Sequence, residues 1–341
     1  MHHPLAPSDA KNLTRSQDHL ASSFTAWMRA CDVIPGEQPD SLQILRLLYA
    51  AGRNDLSFAR LLEGHLDAIQ ILQRVSHGRT SEQVRDLVEA GATFGVWNAD
   101  LPGASLKVTQ DRLFGGKAFA SGAGLLTHAL ATLHAGDTDN VQLLLIDLQE
   151  TPPLIDTSWW TTIGMQESET HLVRWNGPKF QESWMIGRPG DYETEPAFSG
   201  GAIRFCAAQA GAIASIFDLV RNHLVETDRC EAPHQSARLA RLYSCAALSA
   251  GIVREIACKK KDMNAEIYLA AVAHARTVVT EQAERAIMLA QQSVGVASMF
   301  REHPLARTMS DLMVYLRQPS PDAQRHKVGQ AATAGLLVPD L

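Results

Sequence analysis

The chain has 341 residues, of which 45% are hydrophobic and 20% are charged, and its formal net charge is −6. This is enough apolar material for one large domain or for two to three coupled domains. The acidic balance gives no indication of a nucleic-acid partner, and the lack of about 18 uninterrupted apolar residues argues against a membrane span.

Cysteine usage and the first residues bear on the compartment. The five cysteines are an odd number, are widely spaced and include no C-x-x-C pair. A disulfide framework or a structural zinc site is therefore not expected, and reduced thiols in a cytoplasmic protein are the natural interpretation. The first residues contain no apolar segment of signal-peptide type, so no signal peptide is predicted.

Helical signals fill residues 1–92, which we predict to form an N-terminal helical domain. Apolar residues recur at helical spacing, Asn54 or Asp55 is placed to cap the third helix, Gly78 to end it, and Ser81 to cap the fourth. The predicted helices cover residues 21–30, 41–51, 55–77 and 82–90.

Strand signals dominate residues 93–195, the predicted middle β domain. Short apolar runs are joined by Gly and Asp turns, and Gly115-Gly116 is interpreted as a tight turn before a strand over 117–121. No helical segment of adequate length lies between the strands, which favours a small barrel or sandwich over βαβ units. The predicted strands cover residues 93–98, 106–108, 118–120, 141–146, 154–160, 169–175 and 182–186.

Helical periodicity returns over residues 196–341 and predicts a C-terminal antiparallel four-helix bundle. Alanine-rich helices can approach one another closely, as such a bundle requires. The predicted helices cover residues 197–224, 233–258, 263–298 and 304–318, with Pro319 as a stop and Ser320-Pro321 as a restart. The predicted fold class is therefore α+β, mostly α, in three domains.

Four stretches, in this order along the chain, resemble the acyl-CoA dehydrogenase superfamily and its branch of flavin-dependent monooxygenases. The stretch 116–123 is similar to the family's G-x-K-x-[FW]-x-[ST]-x-A strand, and 159–175 is similar to its W-x-x-x-G-M-R-x-[ST]-x-[ST] segment. The full set is 52–57 with 63–65, 116–123, 159–175 with 187–190, and 303–322.

The resemblance implies an FAD site against the middle domain. Carried over residue by residue, it assigns flavin contacts to Phe119, Ala120 and Ser121, where an aromatic ring can cover a flavin face and a hydroxyl can bond a ring heteroatom. It also implies contacts from Trp97 and Asn98, the nearest counterparts of a second flavin-binding strand. A plain core tryptophan fits Trp97 equally well.

Two departures from the family bear on function. The helix segment whose Arg and Gln hold the dinucleotide has no counterpart, and Lys259-Lys260-Lys261 near its place is interpreted as a solvated helix end. The usual catalytic Glu is replaced by Gln318 or Pro319, neither of which can act as a base. Asp322 is the nearest carboxylate and the candidate base, although a first-turn helix acid is the competing interpretation.

Two functions of different classes follow. The first is an FAD-dependent oxidoreductase that acts on an acyl-CoA or related small substrate; an oxidase or monooxygenase would need no such Glu, because oxygen reacts at the flavin. The second is a non-catalytic binding or assembly subunit. The resemblance also implies a homo-oligomer, a dimer or a tetramer. Trp159-Trp160 is interpreted as β-domain core, and His128 and His134 as local histidines rather than metal ligands.

Overall fold

The computed structural model describes residues 16–33, 41–76, 79–134, 140–317 and 321–339. Contacts divide the described residues into two compact units. The first unit takes its residues from 1–43, 64–160 and 169–192, and the second from 44–63, 161–168 and 193–341. The three-domain division stays a prediction, and the predicted helix ends at Gly78 and Pro319 lie outside the described residues.

Within the described residues, four helices precede the first strand, as the periodicity predicts. Ser16 caps the first helix by accepting the His19 N–H at 3.2 Å, so this helix begins earlier than expected. Asp55 caps the third helix by accepting the Phe58 N–H at 2.8 Å, which confirms one of the two predicted caps. The bounds are α1 Gln17–Ala30, α2 Ser41–Asn54, α3 Leu56–Val75 and α4 Arg79–Glu89.

The described residues of the middle region form two four-stranded sheets, in agreement with the predicted barrel or sandwich. One sheet has the order β1-β4-β5-β8, with β1 and β4 parallel, and the other has the antiparallel order β2-β3-β7-β6. The bounds are β1 Phe94–Trp97, β2 Lys107–Thr109, β3 Arg112–Ala120, β4 His128–His134, β5 Val141–Asp147, β6 Leu154–Asp156, β7 His171–Lys179 and β8 Met185–Ile186.

The sequence did not predict β4. Every residue of this strand except His134 is buried, so the strand shows none of the polar–apolar alternation that marks a half-buried strand. Its alanines also favour helix over strand. The strand is defined instead by its partners, because it pairs with β1 on one side and β5 on the other.

Gly115 and Gly116 lie inside β3, and not in a turn before it as the sequence suggested. Gly115 has a φ of 90°, and a Cβ there would stand 2.1 Å from the carbonyl oxygen of Ser105. A Cβ on Gly116 would stand 1.9 Å from the carbonyl oxygen of Val173. Both glycines are therefore required for close backbone approach within a strand.

The second unit contains the predicted bundle. Helices α6, α7 and α8 pack against one another, α10 packs on α8, and α9 packs on α6. The longest, α8, ends before the predicted residue 298, because Gly295 adopts a φ of 79° and residues 295–299 form a 3-10 turn. The bounds are α5 Ala197–Gly200, α6 Ile203–Glu226, α7 Pro233–Lys259, α8 Ala265–Val294, α9 Pro304–Tyr315 and α10 Pro321–Thr333.

One helical stretch of the described residues, Ala197–Glu226, is long and apolar enough to cross a membrane. Within its apolar window 67% of the residues are buried inside the protein. That burial is typical of the core helix of a soluble protein, and α6 is indeed in contact with three other helices of its unit.

A buried histidine lies in the core of the first unit. His65 on α3 is 2% exposed, and its ring lies between Phe24 at 4.9 Å and Phe94 at 5.6 Å. Its Nδ1 accepts the Phe94 N–H at 3.3 Å, so the ring is held in its neutral form. Burial lowers the pKa of His65 to about 3.

The first prediction concerns the contact of Gly52 with α6. A Cβ at this position would stand 2.0 Å from the Ala208 carbonyl oxygen, so Gly52→Ala should lower the free energy of unfolding by about 1–3 kcal/mol. Gly251 lies inside α7 with nothing within 4 Å of the position that a Cβ would take. Gly251→Ala should therefore raise the free energy of unfolding by about 0.5–1 kcal/mol. Urea unfolding of both variants checks the pair, and a destabilised Gly251→Ala would contradict the expectation.

The second prediction is a pH dependence of stability. Below the ordinary histidine pKa of about 6.5, the imidazole of His65 is protonated in the unfolded chain. In the folded protein the same imidazole stays neutral down to about pH 3. The free energy of unfolding should therefore fall by up to roughly 1.4 kcal/mol per pH unit from this residue in that window. In urea titrations between pH 6 and 4, His65→Gln should show the shallower slope. His326→Gln, at an exposed position, keeps His65 and so should keep the wild-type slope.

Candidate functional site

The candidate site lies in the first unit, next to a fully buried lysine. Lys117 on β3 is 0% exposed, and its ammonium has three acceptors. Nζ donates to Asp100 Oδ1 at 2.6 Å, to Thr132 Oγ1 at 2.7 Å and to the Asn98 carbonyl oxygen at 3.2 Å. A buried ammonium is tolerated only when it is paired and hydrogen-bonded in this way.

Within this network, Lys117 and Asp100 each affect the pKa of the other. Burial lowers the pKa of Lys117, and Asp100 opposes that change. Burial by itself would raise the pKa of Asp100, but hydrogen bonds from Lys117 and His134 outweigh it, so the pKa of the carboxyl is lowered. The second oxygen of Asp100 lies 2.8 Å from His134 Nε2. The carboxylate therefore stays ionised and holds the ammonium in place.

Phe119 is exposed to solvent near the end of β3. The register of β3 against β7 shifts between Lys117 and Ala120, and Phe119 adopts a φ of 54°. This left-handed conformation is costly for a residue with a large side chain. Phe119 is left 55% exposed, whereas the next residue, Ala120, is completely buried. A strained backbone that presents an aromatic ring to solvent is a reason to suspect a functional role.

Trp159 and Trp160 surround the Phe119 ring. Their ring centroids lie 4.9 and 6.4 Å from that of Phe119, both in edge-on geometry. The two tryptophans are half-buried, so their assignment to the β-domain core was wrong. The reason is that the β6 strand ends at Asp156, before the Trp-Trp pair, which therefore does not alternate into the core.

Ser121 adds a hydroxyl beside this aromatic group. Its Oγ accepts a hydrogen bond from Thr170 Oγ1 at 3.0 Å, and both residues are buried. No other described group accepts the hydrogen of the Ser121 hydroxyl, which remains available to a ligand. Thr170 was part of a sequence motif but was not assigned to the site, because its partner lies 49 positions away along the chain.

Trp97 and Asn98 support the site from β1. Trp97 is 1% exposed and donates its indole N–H to the Ser121 carbonyl oxygen at 3.0 Å, so its ring is core and its polar atom positions Ser121. Asn98 is exposed, and its side-chain oxygen accepts the Thr132 hydroxyl at 3.1 Å. The structure thus brings together all five residues that the sequence assigned to flavin contacts; the contacts themselves remain predictions.

Asp322 lies in the second unit, in the first turn of α10. Its side chain is 96% exposed and pairs with Arg325 Nη1 at 3.0 Å. Both features agree with the competing interpretation of a first-turn helix acid. Gln318 and Pro319, at the place of the usual catalytic Glu, lie outside the described residues.

A second carboxylate of this unit, that of Asp311, is buried and has a structural partner. Asp311 on α9 is 6% exposed and accepts the Met165 N–H at 2.5 Å. Burial raises the pKa of Asp311 to about 6, against the opposing effects of Met165 and Arg307. Arg307 also pairs with Asp55 at 2.7 Å and Glu167 at 2.9 Å. These contacts hold segment 161–168 against α9.

The remaining candidates from the sequence are the histidines considered as metal ligands and the lysine triplet 259–261. No group of three or more His, Cys, Asp or Glu side chains suited to a metal ion occurs among the described residues. His128 and His134 belong to β4. Of the triplet, Lys259 pairs with Glu255 at 2.9 Å one helical turn away.

No protein-family model and no curated protein matches the chain. Solved structures do. Dibenzothiophene monooxygenase TdsC from Paenibacillus sp. A11-2 aligns with a TM-score of 0.78 at 15% identity, over 94% of this chain and 90% of TdsC; TdsC has also been solved with FMN. The FAD complex of PigA aligns with a TM-score of 0.73 at 17% identity, over 95% of this chain and 99% of PigA.

Butyryl-CoA dehydrogenase from Megasphaera elsdenii aligns with a TM-score of 0.71 at 17% identity, over 94% of this chain and 99% of the dehydrogenase. The similarity thus covers nearly the full length of dehydrogenases and monooxygenases alike. Together with the two sheets and the helical bundle, it confirms the predicted architecture: the chain has the acyl-CoA dehydrogenase fold.

Proposed function

We propose that the chain is a flavin-dependent oxidoreductase that binds FAD against the end of β3. The proposal rests on one observation, the exposed Phe119 ring held in a strained conformation two residues before a buried hydroxyl, that of Ser121. A flat conjugated ring system with acceptor atoms along its edge fits both groups. A bound flavin would supply hydride or oxygen chemistry that amino-acid side chains lack.

The residues present fit a flavin in three respects. The Phe119 face can cover the ring system, the Ser121 hydroxyl can donate to an edge nitrogen or oxygen, and the Trp97 hydrogen bond to the Ser121 carbonyl oxygen fixes that hydroxyl in place. Proteins of the same fold form complexes with FAD and FMN. The form bound here is open to direct measurement, since denaturation releases a non-covalent flavin for comparison with standards.

The substrate in this proposal is an acyl-CoA or a related small molecule, and one observation favours oxidase or monooxygenase chemistry over α,β-dehydrogenation. A carboxylate that abstracts a substrate proton works at a desolvated position. Asp322 is almost fully exposed and is already paired with Arg325. Oxygen chemistry at a flavin needs no such carboxylate.

The proposal includes a homo-oligomer. Large apolar side chains are exposed on the second unit, and several of them are close together in sequence just after α8. Contiguous exposed apolar surface is typical of protein interfaces. The residues concerned are Val225, Tyr243, Leu248, Met288, Val296, Met299 and Phe300.

The third prediction concerns flavin binding. The purified protein should absorb near 450 nm or gain that absorbance with FAD, and Ser121→Ala and Phe119→Ala should each weaken binding about tenfold, as loss of one hydrogen bond or one ring contact implies. Leu154 is exposed in the same unit, and Leu154→Ala is the matched control that should bind like the wild type. Fluorescence titration with FAD and with FMN gives the affinities.

The same titration separates the alternatives. A colourless protein that binds neither FAD nor FMN would sink the proposal and favour a non-catalytic subunit. If flavin binds, anaerobic mixing with acyl-CoAs of several chain lengths tests dehydrogenation, because it should bleach the oxidised spectrum. Turnover that survives Asp322→Asn would remove Asp322 from the site.

The fourth prediction concerns assembly. The double variant Val296→Glu with Phe300→Glu places two carboxylates on the exposed apolar segment and should shift the oligomer toward the monomer in light scattering after gel filtration. Val338→Glu, at a position 70% exposed elsewhere in the same unit, is the control. A wild-type monomer at micromolar concentration would contradict the expectation.

A further inference from the structure

The second unit contains an open cavity of about 410 Å³ between three of its helices. Helix α6 lines this cavity with Phe205 and Gln209, α8 with Arg276 and Thr280, and α10 with Gln324. The two residues from α6 are four positions apart, as are the two named from α8, so each pair lies on one face of its helix. The cavity is therefore a feature of the packed bundle, since α8 is in contact with both α6 and α10.

Gln209 supplies a hydrogen-bond acceptor to the cavity. The residue is only 7% exposed, and its Nε2 donates to the Tyr315 carbonyl oxygen at 3.3 Å. Because only the nitrogen of an amide can donate to a carbonyl oxygen, this bond fixes the orientation of the side chain. The Gln209 Oε1 at the other end accepts no hydrogen bond from any described residue. A buried amide oxygen without a donor is uncommon and requires an explanation.

Thr280 supplies a hydroxyl to the same cavity. A threonine inside a helix often donates to the carbonyl oxygen one turn earlier, and Thr277 does so, to Ala273 at 3.1 Å. Thr280 is 8% exposed, yet its hydroxyl makes no hydrogen bond with the described residues. Neither this hydroxyl nor the Gln209 Oε1 is fully enclosed by protein, so a molecule in the cavity can reach both.

We propose that this cavity binds a small neutral molecule through a primary carboxamide group. An amide N–H of the ligand donates to Gln209 Oε1, and the amide oxygen accepts the Thr280 hydroxyl. Both hydrogen-bonding groups of the cavity are then satisfied by one flat group without net charge. Apolar walls from Phe205 and Leu316 can receive the remainder of the ligand, as is usual in small-molecule sites.

The charged alternatives fit the cavity less well. A carboxylate has no N–H for Gln209 Oε1 and would place a negative oxygen beside that acceptor. An ammonium group could donate to Gln209, but Arg276 on the wall of the cavity would repel it. All of the residues named lie in the second unit, and the proposal does not require flavin to be bound.

The fifth prediction is a titration of the full-length protein with an amide and the matching acid. Isobutyramide should bind saturably in calorimetry, whereas sodium isobutyrate, of the same shape but without an N–H, should bind about tenfold more weakly. Thr280→Val removes the hydroxyl and keeps the shape, and it should weaken isobutyramide binding about tenfold. Thr277→Val is the matched control in the same cavity wall and should leave the affinity unchanged, because that hydroxyl is already bonded to Ala273.

The comparison of amide and acid needs no variant, so it stays decisive if Thr280→Val folds poorly. Thr280→Ser keeps the hydroxyl and should bind isobutyramide as the wild type does. In spectra of methyl-labelled threonine, the Thr280 signal should shift when isobutyramide is added to the wild type. No saturable binding, acid bound as tightly as amide, or equal affinities for the wild type and Thr280→Val would overturn the proposal; a cavity that holds only ordered water predicts the first of these outcomes. Because the titration is run with and without FAD, its failure is separate from a failure to bind flavin.

Discussion

The first unit depends on the three hydrogen bonds of one buried ammonium. Lys117 can be desolvated only because Asp100, Thr132 and the Asn98 carbonyl oxygen accept all of its protons. Those acceptors come from β4 and from the segment after β1, so the lysine ties both to β3. The rigid strand end that results is what allows Phe119, two residues on, to be held in a costly backbone conformation.

Buried charge is paired in the second unit as well. The Lys117 network of the first unit has an acceptor for every donor of its ammonium, and its lysine and aspartate balance each other. In the second unit the Glu63 carboxylate is 1% exposed and accepts hydrogen bonds from Arg60 and Arg204. Charges can stay buried when they are paired and hydrogen-bonded in this way, and such networks rigidify a core.

Much of the fold was predictable from local patterns. Helical spacing located the helices of both units, the Asp55 cap included, because each helix repeats its apolar face many times. The errors fall where a local pattern has two meanings. The β4 segment lacks alternation because it is buried throughout, and Gly115-Gly116 resembles a turn although its neighbours Ser105 and Val173 are what require glycine. The Trp159-Trp160 pair was likewise assigned to the core because the sequence does not show that the preceding strand ends at Asp156.

The sequence by itself determined the fold class, the order of the regions and the presence of a strand through Phe119 and Ala120, because these follow from periodicity and from short contiguous motifs. Only the tertiary structure decided which side chains act together. Ser121 meets Thr170 over 49 positions and Tyr315 meets Phe205 over more than twice that distance along the chain. Hydrogen bonds and charge balance depend on distances in space, and residues so far apart in sequence leave no local pattern from which those distances could be inferred.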